Sequence, residues 1–425
     1  MTRCGLTVSV LLIGSIISVT STTASAQQTV FGYVCNLEGQ QEPVASSALG
    51  TGIFVIDTVA DIMRYRIEFG GIASGETAAH IHGFADPGAP AGVLHTLPLG
   101  SPKIGVWNYT AAQEADILAG RTYVNIHSNA FGGGEIRGQI VSLVATITGS
   151  QQPPSGTGAT GTGFGTFVID TQANTLRYHI RISGLSSAEM AAHIHGMDPH
   201  GSAATGVIHH MPFGSPKIGV WNYAEAQEGS ILAGLTYVNI HTTNFRNGEI
   251  RGQITNSLAT IEGPQEPTAS TAIGVGHFSH DLAGNRLGFF IHYGGLSSAE
   301  NAAHIHGFAP RGSAAGVLFP FALGSPKLGF WTYAAAQEEG ILDGLTYVNI
   351  HTANFGGGEI RGQIEPRFSC AADVDRNLTV DIADVPPFVD CLIGVGACTC
   401  ADVDFSGNVD GLDIDDFVDN LLFKS

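Results

Sequence analysis

Basic residues are scarce in this chain of 425 residues. Eighteen Lys and Arg stand against 37 Asp and Glu, for a formal charge of −19. That excess of acid disfavours nucleic acid and anionic membrane as partners, because both would repel such a surface. Charged residues of either sign reach only 13%, whereas apolar residues reach 44%. That balance excludes wholesale disorder. Three Trp serve the whole chain, and G-x-S-x-G, a phosphate loop and a paired Cys/His nucleophile are all missing. The common catalytic constellations are thus absent, and the chain is expected not to be an enzyme.

Long apolar runs are also missing, with one exception. Arg3 is followed by the uncharged run Leu6–Val19 and by Ala24-Ser25-Ala26. This is the order of a cleaved secretion signal at 1–26, with the mature chain starting at Gln27. No later stretch reaches about 18 apolar residues, so no transmembrane anchor is expected. Cys4 lacks a preceding lipoprotein-like Leu, and the protein is expected to be secreted, released or held at the cell surface by a partner. Cysteines number six. Cys4 leaves with the signal, and Cys370, Cys391, Cys398 and Cys400 are expected to pair in an oxidising compartment in one of three connectivities. Cys35 is then an odd thiol, either buried or open to an intermolecular bond.

What is abundant is repetition. "AAHIHG" occurs at 78–83, 191–196 and 302–307. "YVNIH" followed by "GEIRGQI" occurs at 123–140, 237–254 and 347–364. The second histidine of each pair precedes the later one by 45 (82 to 127), 46 (195 to 241) and 45 (306 to 351) residues. A period near 110 residues is a domain rather than a solenoid turn. Units are expected at 27–143, 144–257 and 258–366, strung as a row, with a separate segment at 370–425. Glycines number 57, and "GIFVIDT"–"MRYRIEF" and "YVNIH"–"GEIRGQI" each read as a hairpin. "AAQEADILAG" reads as a short helix ending at Gly120. The fold class is mostly β: three tandem β-sandwich or barrel domains plus a small α-helical calcium-loop domain.

Strand alternation places Val124, Ile126, Ile136 and Ile140 inward. His80 and His82 share the outer face, as do Tyr123, Asn125 and His127, with Glu135, Arg137 and Gln139. Three imidazoles per unit suit copper or zinc. The candidate sets are His80, His82 and His127; His193, His195 and His241; His304, His306 and His351. His95 and His209 occupy one aligned position, but Phe319 stands there in the third unit, so a common fourth histidine is not available. A competing reading makes the "HIHG" segment and Asn125 hydrogen-bonding pins for the "GGGE" loop. Glu135 with Arg137, and their counterparts Glu249/Arg251 and Glu359/Arg361, read as an exposed ion-pair ladder. Trp107, Trp221 and Trp331, one per unit, read as core anchors.

"AAHIHG", "ILAGRTYVNIHS" and "GGGEIRGQI" resemble the CHRD domain, the repeat first described in chordin. The likeness covers nearly all of 27–366. It implies a β-rich extracellular module without a settled activity. Chordin's growth-factor-binding repeats are cysteine-rich and have no counterpart here, so growth-factor antagonism is not implied. "HIH" also resembles, locally, a copper-ligating strand of Cu/Zn superoxide dismutase. The bridging ligand and aspartate of that family do not recur, since Asp86 and Asp198 have no counterpart in "GFAPRG", and dismutase activity is not expected.

The 370–425 segment holds twelve Asp against one Lys and one Arg, a net −10. "DVDFSGNVDGLD" sets Asp402, Asp404, Ser406, Asn408, Asp410 and Asp413 at positions 1, 3, 5, 7, 9 and 12 of a calcium loop, with Gly407 at the sharp turn. "DVDRNLTVDIAD" repeats the pattern with Asp373, Asp375, Asn377, Thr379, Asp381 and Asp384. Leu378 replaces the glycine there, so this site is expected to be weaker. A helix follows each loop: Ile414, Phe417, Val418, Leu421 and Leu422 in one, and Phe388, Val389 and Leu392 in the other, after Pro386 and Pro387 in its opening turn. Two loop–helix units without preceding helices resemble dockerin domains. That resemblance implies calcium-dependent docking onto a cohesin-like protein or cell-surface component.

Overall fold

The computed structural model describes residues 30–203 and 206–365 and, beyond them, only 374, 384–393, 401, 411, 413, 414, 417 and 418. The secretion signal, Cys370, Cys398 and Cys400 lie outside the described residues.

The first unit contains β1 (Val30–Glu38), β2 (Leu49–Asp57), β3 (Ile62–Gly70), β4 (Glu76–Gly83), β5 (Gly92–Thr96), β6 (Lys103–Asn108), α1 (Ala111–Leu118), β7 (Thr122–Ser128) and β8 (Ile136–Gln139). The second has β9 (Leu143–Thr148), β10 (Thr162–Asp170), β11 (Thr175–Ser183), β12 (Glu189–Gly196), β13 (Gly206–His210), β14 (Lys217–Asn222), α2 (Glu228–Leu232), β15 (Thr236–Thr242) and β16 (Ile250–Ile254). The third has β17 (Ser257–Glu262), β18 (Ile273–Asp281), β19 (Arg286–Gly294), β20 (Glu300–His306), β21 (Val317–Pro320), β22 (Lys327–Thr332), α3 (Glu338–Leu342), β23 (Tyr347–Thr352) and β24 (Ile360–Gln363).

Each unit is one antiparallel eight-stranded sheet, in the first in the order β5-β4-β7-β8-β1-β2-β3-β6, with the same order in the others. The sheet curls until its two edges approach: His95 on β5 stacks on Trp107 of β6 with ring centroids 6.0 Å apart. Local chemistry sets the corners. The Asp57 carboxylate accepts the N–H groups of Val59 and Ala60 at 2.8 and 2.9 Å, and Asp61 takes φ +55°, which turns β2 into β3. Gln113 Oε1 accepts the Thr110 N–H at 2.8 Å and starts α1. Gly120, at φ +70°, ends it where a Cβ would lie 2.7 Å from Val168 of the next unit. The three Trp are buried in the three cores, with Val124, Ile126, Ile136 and Ile140 beside Trp107. Cys35 is a buried free thiol, which burial pushes well above its usual pKa.

The units form a closed ring rather than the expected row. Val34, Val144 and Leu258, one aligned position in three units, share a single buried cluster. Around it Asn36 Nδ2 donates to Thr146 Oγ1 at 3.1 Å, and Thr146 meets His277 Nε2 at 3.3 Å. Thr260 of the third unit closes the circle on Thr51 of the first at 2.8 Å. Arg311 of the third unit bridges Glu68 of the first (2.9 Å) and its own Glu365 (2.7 Å).

Candidate metal centre

The triads are built by register. On adjacent strands β4 and β7, Ala78 faces His127, His80 faces Asn125 and His82 faces Tyr123. His80 and His82 share a face because they are two residues apart, and His127 lies diagonally across from His80 on that face. Ile81, between the two histidines, enters the core. The structure brings together all nine sequence-predicted histidines in three sets: His80, His82 and His127; His193, His195 and His241; His304, His306 and His351. Within each set, one ring nitrogen per residue lies within 4.8 Å of the others.

Backbone carbonyls orient the rings. His127 Nδ1 lies 3.1 Å from Gly132 O, and His82 Nδ1 lies 3.0 Å from Ala91 O. A carbonyl only accepts, so both Nδ1 atoms carry the proton and both Nε2 atoms keep a lone pair. In the third unit His351 Nδ1 and His306 Nδ1 meet Gly356 O (3.2 Å) and Ala315 O (2.9 Å). In the second, His241 Nδ1 meets Arg246 O at 2.9 Å. His80 Nδ1 stands 3.3 Å from His127 Nε2, and His304 Nδ1 stands 3.2 Å from His351 Nε2. Four-coordinate zinc with Zn–N of about 2.0–2.1 Å sets its donor atoms about 3.3 Å apart, so these pairs already have the spacing of two ligands. The Nε2 atoms of His82, His195 and His306 are buried and make no hydrogen bond.

Electrostatics favour the same use. Burial, and then the neighbouring imidazoles, hold His80, His193 and His304 below the usual histidine pKa. Burial likewise lowers His82 and His306, and takes His195 to about 4. Neutral imidazole is the form that binds a metal ion.

A second polar layer supports the triad. The Arg137 guanidinium lies 3.4 Å from the centre of the Tyr123 ring, and Tyr123 stacks on His82 with centroids 5.0 Å apart and planes 5° from parallel. Arg251–Tyr237–His195 and Arg361–Tyr347–His306 repeat the stack. Tyr123 Oη accepts the Ala91 N–H at 3.0 Å, so the residue that orients His82 is itself held by the tyrosine.

The CHRD domain model matches residues 33–140, 143–254 and 258–364. The chain belongs to the CHRD domain family. Chordin of Xenopus laevis is 31% identical over 248 residues, which cover 51% of this chain and 26% of chordin. The chain thus spans about a quarter of the length of that relative.

Two expectations about the CHRD domains change. The Glu–Arg pair is not an exposed ladder: Glu135 is 0% and Arg137 4% exposed. Glu135 accepts from Ser46 Oγ (2.8 Å) and the Ala73 N–H (2.7 Å), while Arg137 donates to Ala89 O (2.9 Å). Burial pushes the corresponding Glu359 up, but hydrogen bonds from Thr352, Ser297 and Ser270 outweigh it and hold the carboxyl below its usual value. His95, left out of the triads by the sequence reading, also lies apart from them. It pairs across β5 with Ile81 and therefore faces inward, toward Trp107 and Tyr65. The "GGGE" loop is pinned by His127 and Asn125 rather than by the "HIHG" pair. The alternation rule had grouped Tyr123, Arg137 and Gln139 on the face of the histidines; what sequence reasoning missed is that Arg137 and Gln139 are buried there and support the triad.

In the C-terminal segment, α4 (Val385–Leu392) carries Pro386 and Pro387 in its first turn, as expected. Phe388 stacks on Phe417 with centroids 3.7 Å apart, so the two helical stretches touch. Asp384 and Asp413, the last positions of the two loops, are both buried. Asp373, Asp375, Asn377, Thr379, Asp381, Asp402, Asp404, Ser406, Asn408 and Asp410 lie outside the described residues. Among the described residues no helix is long and apolar enough to cross a membrane.

Proposed function

We propose that this chain is an exported, non-catalytic binding protein whose ring of three CHRD domains carries one copper or zinc ion per domain. The observation behind this reading is the triad itself. In each domain three imidazoles converge, and in the first and third domains two of them have their lone pairs turned inward by carbonyls. Three nitrogen ligands leave a coordination position for water or for a donor atom of a bound partner. The similarity to chordin supports a multidomain extracellular binding role, and the N-terminal sequence, read as a secretion signal, supports the same location. Equilibrium dialysis of the mature chain against zinc or copper, followed by metal counting, tests the reading. Near three ions per chain are expected, with loss of all three in the His82→Ala, His195→Ala, His306→Ala variant. A chain that binds none leaves the histidines as hydrogen-bonding pins.

For attachment, the loop pattern, the buried Asp384 and Asp413 and the Phe388–Phe417 stack support a calcium-dependent, dockerin-like module. Its partner would be a cohesin-like protein or a cell-surface component. Calorimetry of the full chain should show at least one calcium site. A flat titration, with helix content unchanged by chelator, removes this route.

A further inference from the structure

The three triads are not equivalent. Position 210, next to His193 across the β12–β13 pairing, is a histidine; the same pairing sets Thr96 beside His80 and Pro320 beside His304. The His210 ring centroid is 4.8 Å from that of His193, closer than His241 at 5.1 Å or His195 at 5.5 Å. Rings bound to one four-coordinate zinc have centroids about 5 Å apart, by the metal–nitrogen lengths used above. His210 is exposed and lies on an edge strand, so its ring is free to change rotamer.

The hydrogen bonding of the triad in this domain also differs. The bond that joins first and third histidines in the outer domains is not made here. His193 Nδ1, His195 Nε2 and His241 Nε2 are all buried without a hydrogen-bond partner. Buried polar atoms left in this state are costly, and a shared cation relieves all three together.

We propose that the middle domain holds a closed four-histidine metal site, with His210 as the fourth ligand, while the first and third domains hold open three-histidine sites. This rests on the metal-binding reading of the triads. The closed site retains its ion most tightly, and the two outer sites keep a position for an external donor. The chain would then fill in order, the middle domain first.

Zinc titration of the full mature chain in competition with a chromophoric chelator tests this. The expected result is one tight and two weaker sites. Losing a ligand should cost at least what losing an outer hydrogen-bond partner costs, on the order of 10–100-fold in affinity. His210→Ala should therefore weaken the tight site by about that factor and leave three comparable sites. Thr96→His should tighten one further site. Three equal sites in the parent chain, or a tight site indifferent to His210→Ala, would overturn the fourth-ligand assignment while leaving the triads intact. No zinc bound at all would overturn the triads and this proposal with them. Because residue 210 is exposed, its variants should keep the parent far-UV spectrum.

Discussion

The two faces of each sheet follow different rules. The inner face is apolar and buried by the sheet's own curl, as with Phe54, Ile81 and Ile126. Around the triads the outer face is polar and nearly as buried: Glu135, Arg137, Gln139 and Asn125 are all covered. Apolar side chains on the inner face need only shape, whereas every polar group on the outer face needs a partner. The histidine triads sit on the second kind of surface, where each ring has a fixed neighbour.

Perturbing the two faces should therefore give different signatures. The largest stability loss is expected on the inner face. Phe54→Ala should cost about 3–5 kcal/mol in denaturant unfolding, while the folded fraction retains its full metal count. Arg137→Ala, on the outer face, should cost about 1–3 kcal/mol, from lost hydrogen bonds and the loosened stack on Tyr123. It should also lower zinc affinity in the first domain by roughly 10–100-fold. A stability loss without an affinity loss would break the link between the polar layer and the triad.

His277 extends the comparison to the seam between the second and third domains. Burial, and then His292, push it down to about 3, against about 6.5 in the unfolded chain. The folded state keeps the ring neutral while the unfolded state takes up a proton below pH 6.5. The stability is thus fully present above that pH and is lost as pH falls toward 3. The loss should approach about 1.4 kcal/mol per pH unit, or about 2 kcal/mol by pH 5. Urea midpoints at pH 7 and 5 check this: His277→Thr, which copies Thr166 of the middle domain, should remove that share of the acid loss, while the buried His280 and His292, held down to about 3 and about 4, keep theirs. The smallest effect is expected at the half-exposed Arg121–Asp116 pair. Arg121→Ala should change stability by less than about 0.5 kcal/mol.

Period-two alternation made the inner face legible, since Val124, Ile126, Ile136 and Ile140 all point where it predicts. Recurring spacing likewise revealed the triads, because three separations of 45, 46 and 45 residues between histidines need a common geometry. Alternation cannot tell whether a second face is covered. The cover over Arg137 comes from the segment carrying Ala85, Ala89 and Ala91, distant in sequence. The ring was hidden for a related reason: Val34, Val144 and Leu258 look like ordinary strand residues until three domains meet. In the middle domain the adjacent pair His209-His210 carried the signal, with one ring turned in and the next turned out.

Anomalous diffraction at the zinc edge from crystals of the zinc-loaded chain tests the central claim most directly. The account predicts three peaks, each among the imidazoles of one CHRD domain, with His210 turned onto the middle one. Zinc found elsewhere on the surface, with all three triads keeping only their hydrogen bonds, would contradict it.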